Sequence, residues 1–159
     1  MKFYSAAARF FATGFYLGLL PSRITGGHKG GGTLGTLLGL VLIPFLPADK
    51  TAYSIFLCVF AVFAVAVSHK TCSDYGTKDD QRVVIDETAG YFTAMAWLPR
   101  EPLMLAATFL LFRVFDGLKP WPIGVADRSV SGGVGVVLDD LLAGAATNLV
   151  IRAVLYFIN

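Results

Sequence analysis

The run Thr51-Ala52-Tyr53-Ser54-Ile55-Phe56-Leu57-Cys58-Val59-Phe60-Ala61-Val62-Phe63-Ala64-Val65-Ala66-Val67-Ser68 contains no charged residue. A helix needs about 20 mainly apolar residues to cross a bilayer, so this stretch reads as a membrane helix. Its surroundings agree. The chain has 159 residues, 55% of them hydrophobic and 15% charged, with a mean hydropathy of +0.66. Ordinary soluble domains carry about 25% charged residues. The expected fold class is therefore all-α: one compact, multi-helical integral membrane bundle of about five to six helices, some short or interfacial. A tightly packed soluble helical domain is the alternative.

Working outward, Pro47, Ala48, Asp49 and Lys50 form a turn before that helix. Leu34 to Leu46 is apolar but short, and Pro44 can kink it. Residues 3–20 read as a first helix that lies along the interface, ended by Pro21. Residues 21–33 form a glycine-rich loop with Arg23, His28 and Lys29. After Ser68 comes a polar stretch from His69 to Arg82, then apolar segments Val83 to Leu98, Leu103 to Phe115 and Val137 to Phe157. The single domain is thus 1–159: an interfacial helix, the glycine loop, and a helical bundle over 34–159 with active-site loops at 69–87 and 112–140.

Alternating these segments puts Arg23, Lys29, Lys70, Lys78, Arg82, Lys119 and Arg128 on one face, against Lys50 and Arg100 on the other. The positive-inside rule makes the first face cytoplasmic. A net charge of +2 is too small to indicate a nucleic-acid partner. Cys58 lies in an apolar run and Cys72 in a polar stretch, so neither a disulfide framework nor a zinc site is expected. The first residues lack the short apolar core and small-residue site of a cleaved signal.

The acids are the chemical signal. Asp86-Glu87, Asp116 and Asp139-Asp140 all fall at edges of apolar segments on the same face. Carboxylates near lipid are costly unless they are paired or bind a cation, and several together make a hard-oxygen site for Mg²⁺. Asp86 and Glu87 also suit the positive end of a helix dipole. Asp116 has the opposite problem, an acid at a helix C-terminus; Arg113 one turn earlier either pairs with it or joins Lys119 in holding phosphate oxygens. Asp139 reads as an N-cap or as a ligand, but capping accounts for only one of two adjacent aspartates. Gly90 and Gly144 share faces with Glu87 and Asp140 and permit a close neighbour. The stretch Gly30-Gly31-Gly32-Thr33-Leu34-Gly35-Thr36 offers backbone N–H groups to phosphate, with Thr33 as a contact. Trp97 and Trp121 suit the membrane interface, and Arg152 either snorkels or pairs internally.

These strings together resemble the bacterial phosphatidylglycerophosphatase A family from about Ala12 to the end. The resemblance rests on Lys78-Asp79-Asp80 through Asp86-Glu87 with Gly90, on Phe112-Arg113 through Asp116, Lys119-Pro120 and Pro122, and on Gly132-Gly133 through Asp139-Asp140 with Ala143-Gly144. Ala12-Thr13-Gly14 and Gly18 look like its amino-terminal segment. Gly31-Gly32-Thr33-Leu34-Gly35-Thr36 stands where the family commonly has Pro-Gly-Thr-x-Gly-Ser, and the preceding loop is longer than usual. The resemblance implies an Mg²⁺-dependent phosphatase of the bacterial inner membrane, multi-pass and with its active site facing the cytoplasm. It would convert the lipid phosphatidylglycerophosphate to phosphatidylglycerol and inorganic phosphate.

On that reading Asp86, Glu87, Asp116, Asp139 and Asp140 hold one or two Mg²⁺. Arg113, Lys119 and Thr33 hold phosphate, and Asp79 is a general base or outer ligand. The nucleophile is either a water or one of the carboxylates. The rival from another class is a transporter or channel with an acidic cation site. A lipid phosphotransferase is a third reading, but its usual Asp-x-x-Asp-Gly-x-x-Ala-Arg pattern is absent around Asp116-Gly117.

Overall fold

The computed structural model describes residues 2–25 and 30–158. Among the described residues every regular element is helical: α1 (Lys2–Ala12), α2 (Leu20–Thr25), α3 (Gly31–Leu42), α4 (Lys50–Tyr75), α5 (Ile85–Ala94), α6 (Pro102–Leu118), α7 (Ile123–Ser129) and α8 (Gly132–Ile158), with 3₁₀ turns at Leu17–Leu19 and Ile43–Phe45. That is eight α-helices where about five or six were expected.

The differences have local causes. The expected helix over 3–20 breaks at Thr13, whose hydroxyl donates back to Arg9 O at 2.8 Å. Phe15 and Tyr16 then adopt left-handed backbone, with φ of 59° and 69°. Pro21 opens a helix instead of ending one, because it sits in the first turn of α2, where its missing N–H costs nothing. The glycine-rich loop shrinks accordingly; His28 and Lys29 lie outside the described residues. α4 continues through the polar stretch to Tyr75, helped by the Lys70–Asp74 ion pair one turn apart, and stops at left-handed Gly76. α7 occupies part of what reads as a loop.

α8 begins at Gly132, before the expected Val137, so Asp139 lies two turns inside the helix and is no N-cap. The glycines that suggest a loop serve packing instead: a Cβ on Gly133 would lie 2.3 Å from Val65 O on α4.

Among the described residues two helices are long and apolar enough to cross a bilayer, α4 and α8, with mean hydropathies of 2.2 and 1.8 over their most apolar stretches. Only 22% and 17% of those stretches are buried within the fold, so their apolar surface faces outward. The helix that is buried is the short α5. Ile85, Asp86, Thr88, Ala89, Gly90, Tyr91, Phe92 and Ala94 are all shielded by neighbouring helices.

α5 and α8 cross at two glycines. A Cβ on Gly144 would sit 2.2 Å from Gly90 O, and one on Gly90 would sit 2.7 Å from both Asp140 O and the Phe112 ring. Ending inside the bundle leaves α5 with carbonyls that its own turns cannot satisfy. Side chains of α8 do so. Asn148 Nδ2 donates to Ala94 O and Ala96 O at 2.8 and 2.9 Å, and Arg152 donates to Ala96 O at 2.8 Å and to Asn148 Oδ1 at 2.7 Å. Arg152 therefore pairs internally.

The loop between α4 and α5 is pinned by Asp80, which is 6% exposed and takes both Arg82 Nε and Nη2 at 2.7 Å. The Arg82 hydrogen bonds hold the Asp80 carboxyl below its ordinary range despite the opposing effect of burial. Arg82 is partly open to solvent, so Asp80→Asn is expected to cost about 1 kcal/mol. The pair's contribution is present above the unfolded carboxyl pKa of about 3.9. It is lost as pH falls through the lower folded value. Thermal unfolding in detergent should therefore show an acid-limb loss in the wild type that is smaller in the variant.

Candidate active site

Asp86 and Glu87 occupy the first turn of α5, where the helix dipole favours acids. The Gly90–Gly144 crossing brings α8 close enough that Asp140 joins them. One carboxylate oxygen from each of Asp86, Glu87 and Asp140 lies within 4.8 Å of the others. Asp86 and Asp140 are 6% and 3% exposed. Asp86 Oδ1 and Glu87 Oε2 are buried without a hydrogen-bond partner among the described residues. Burial pushes the Asp86 carboxyl up to about 7. Burial, followed by the charge of Asp86, pushes Glu87 well above its ordinary value, with Arg113 opposing. Converging, poorly solvated carboxylates with free oxygens are a donor set suited to a hard divalent cation.

This trio opens into a cavity of about 620 Å³. Asp116, Asp139, Arg113 and Lys119 line the same cavity. Asp116 accepts from Arg113 at 2.6 Å, as an (i, i+3) pair on α6. Asp139 Oδ2 accepts from Lys119 Nζ at 2.6 Å, while Oδ1 is buried without a partner among the described residues. Five carboxylates from three helices thus meet in one space, three clustered tightly and two tied to cations. Asp79 also lines the cavity, solvent-exposed, and among the described residues it makes no salt bridge.

The start of α3 supplies the remaining wall through the backbone of Gly30, Gly31 and Gly32. At Gly32 the close approach is required: a Cβ there would lie 2.5 Å from Glu87 Oε1 and 3.1 Å from Arg113 Nη1. Thr33 is a correction to the sequence reading. It is exposed and does not line the cavity. The threonine of this stretch that touches a site residue is Thr36; it is fully buried and does not line the cavity itself, but its hydroxyl accepts from Arg113 Nη1 at 3.4 Å and donates to Gly32 O at 2.9 Å.

Asp127 is the residue the sequence reading missed. It accepts from Lys119 Nζ at 2.5 Å. Lys119 is held above its ordinary pKa: burial lowers it, but its hydrogen bonds to Asp127 and Asp139 outweigh that.

The model of the family described as phosphatidylglycerophosphatase A matches residues 10–155, a span that includes every one of these carboxylates. The chain belongs to the phosphatidylglycerophosphatase A family. Among curated proteins it is similar to phosphatidylglycerophosphatase A of Escherichia coli, with 36% identity over 132 residues, covering 80% of this chain and 73% of the relative. It is similar to phosphatidylglycerophosphatase A of Haemophilus influenzae, with 34% identity over 148 residues, covering 92% and 87%. A Bacteroides thetaiotaomicron relative with the provisional name phosphatidylinositol-3-phosphatase is 32% identical over 139 residues, covering 80% and 85%. No solved structure matches the chain. Of the strings that carry the resemblance, Asp79, Asp80, Asp86, Glu87, Arg113, Asp116, Lys119, Asp139 and Asp140 line the cavity, whereas Gly90, Gly133 and Gly144 serve helix packing and Pro120 and Pro122 shape the turn into α7.

Proposed function

We propose that this phosphatase of the phosphatidylglycerophosphatase A family works as an integral enzyme of the bacterial inner membrane. It removes the terminal phosphate of phosphatidylglycerophosphate and gives phosphatidylglycerol for phospholipid biosynthesis. The observation that carries the reading is the convergence of Asp86, Glu87 and Asp140, with unpartnered buried oxygens, beside Arg113 and Lys119. Those oxygens fit Mg²⁺, with Asp116 and Asp139 as further ligands. Bound there, the metal supplies charge that draws electrons from the phosphoryl oxygens and lowers the pKa of a coordinated water.

The chain's own groups do the rest. Arg113, braced by Asp116 and Thr36, offers a planar fork to two phosphoryl oxygens. Lys119 adds a point charge. Asp79, which lines the cavity and makes no salt bridge among the described residues, accepts a proton from the attacking water. The new P–O bond forms to that water, the P–O bond to glycerol breaks, and the glycerol oxygen takes up a proton from solvent in the open cavity while Asp79 returns its own to solvent. Only the headgroup enters the polar cavity; the acyl chains stay beside the apolar faces of the bundle.

α4 and α8 span the membrane on this reading, because their apolar stretches face outward. Lys78, Arg82, Lys119 and Arg128 lie on the segments that border the cavity and its recess, and by the positive-inside rule this reading turns that end to the cytoplasm. Labelling of Lys78→Cys and Lys50→Cys in intact cells checks this orientation: a membrane-impermeant maleimide should reach only the second.

The direct assay is phosphate release in detergent from phosphatidylglycerophosphate, phosphatidic acid, lysophosphatidic acid and phosphatidylinositol 3-phosphate, each with Mg²⁺ or with EDTA. Mg²⁺-dependent release fastest from phosphatidylglycerophosphate is expected. Undiminished release after chelation would reject the metal. A clear preference for the inositol lipid, whose phosphatase lends its name to one relative, would reject the substrate.

A further inference from the structure

Lys119 is shared by two carboxylates on different helices: Nζ lies 2.6 Å from Asp139 Oδ2 on α8 and 2.5 Å from Asp127 Oδ1 on α7. Asp139 lines the main cavity, but Asp127 does not. Asp127 instead borders a smaller recess of about 70 Å³, whose wall also includes Lys78, Asp79 and Asp139. Its hydrogen-bonded link to the reaction therefore runs through the lysine, while its charge also lies near Asp79 and Asp139.

The chain invests in that contact. Lys119 adopts left-handed backbone with φ of 44°, an uncommon conformation for a residue with a Cβ. The turn through Pro120, Trp121 and Pro122 folds α7 back onto the lysine. A Cβ on Gly124 would lie 2.5 Å from Lys119 O, so α7 rests on the lysine's own carbonyl. Arg128 Nε donates to Gly124 O at 2.9 Å and firms the same turn. Asp127, three residues after Gly124, then meets the ammonium.

An ammonium has three donors. Two are committed here, which leaves one for the cavity that Lys119 lines. A free lysine side chain samples many rotamers, at an ordering cost of up to about 2 kcal/mol. One carboxylate restrains it partly; two from different directions restrain it more fully. They also place two negative charges against one positive, so an incoming phosphate competes with Asp127 for the ammonium.

We propose that Asp127 is a positioning residue: it fixes the Lys119 ammonium so that its remaining N–H meets a phosphoryl oxygen, and its charge limits how tightly that ammonium holds anions, including released phosphate. The inference rests on the phosphatase reading above.

The test compares wild type, Asp127→Asn, Asp127→Glu, Lys119→Ala and the Asn/Ala double variant, purified in detergent and assayed on phosphatidylglycerophosphate with added inorganic phosphate as inhibitor. Asp127→Asn is expected to lower kcat about 10-fold. Its Ki for phosphate should fall about threefold, the effect of one partly exposed charge. Asp127→Glu should recover most of kcat. In the Lys119→Ala background Asp127→Asn should change kcat far less than in the wild type.

Unchanged kcat and phosphate inhibition in Asp127→Asn, with an active wild type, overturns the positioning role and leaves the phosphatase reading standing. An equal loss with and without Lys119 overturns it as well. Should Asp127→Asn not purify as folded protein, Asp127→Ser is read in the same way. Failure of both to fold also overturns the proposal, since a partly exposed carboxylate that only steers a lysine is dispensable for folding. A wild type that releases no phosphate overturns the reading beneath it.

Discussion

Asp140→Asn is expected to lower phosphate release by about 10²–10³-fold, the range for losing a group that stabilises charge at a reacting centre, while the protein folds at least as well as the wild type. The two halves of this expectation share a cause. Asp140 is buried against Asp86 and Glu87, and the trio leaves oxygens without partners. Without a cation such a cluster is self-repelling, so neutralising one member relieves the fold. On the proposed reading the same cluster holds the cation, and removing one member would weaken that binding. Melting in detergent separates the two effects. Without Mg²⁺ the variant should melt at or above the wild type. Saturating Mg²⁺ should raise the wild-type Tm, by the equivalent of about 2.7 kcal/mol at a hundredfold excess over Kd. It should do far less for the variant. Normal turnover by folded Asp140→Asn would remove Asp140 from the metal set, and a Tm insensitive to Mg²⁺ in both proteins would remove the metal.

The second large effect is on the fold. Gly144→Val is expected to abolish folded, active protein, with a loss of more than about 3 kcal/mol. A Cβ at Gly144 has Gly90 O at 2.2 Å, and that neighbour is backbone, which cannot swing aside. Separating α5 from α8 to make room would also pull Asp140 away from Glu87. Gly117→Ala is the control, because a Cβ there meets nothing within 4 Å. Size-exclusion profiles and melting curves of the two variants check the contrast. A well-folded Gly144→Val protein would mean that the crossing is looser than these distances indicate.

Much of this was legible in the chain. The uncharged run from Thr51 to Ser68 announces a long apolar helix, because composition alone decides it. The acids were legible as a set because each lies at an apolar boundary where a lone carboxylate is costly. Gly90 and Gly144 were legible as close-approach positions from their spacing to Glu87 and Asp140. What escaped depends on contacts between distant segments. The break after Ala12 is set partly by Val84 N donating to Ala12 O at 2.8 Å, a partner seventy-two positions away. Gly132 and Gly133 read as loop until α4 is seen lying against them. Asp127 has no local signature, since the turn at Pro120–Pro122 alone brings it back to Lys119. Thr33 and Thr36 are equivalent as letters, and only the packing of α3 decides which one reaches Arg113.

Every fourth residue along one stripe of α8 follows α5 from end to end. Asp140 stands at the start of α5, Gly144 at its middle, and Asn148 and Arg152 at its frayed carbonyls. The stripe is therefore an electrical mirror of its neighbour: an anion faces the end where amide hydrogens leave partial positive charge, and a cation faces the end where oxygens leave partial negative charge. Turning α5 around would set like charge against like at both ends, and sliding it by one turn would pull its last carbonyls away from Asn148. The polarity of a ten-residue helix is thus written into the side chains of a longer one, and the geometry of the reacting end is guarded from the opposite side of the molecule.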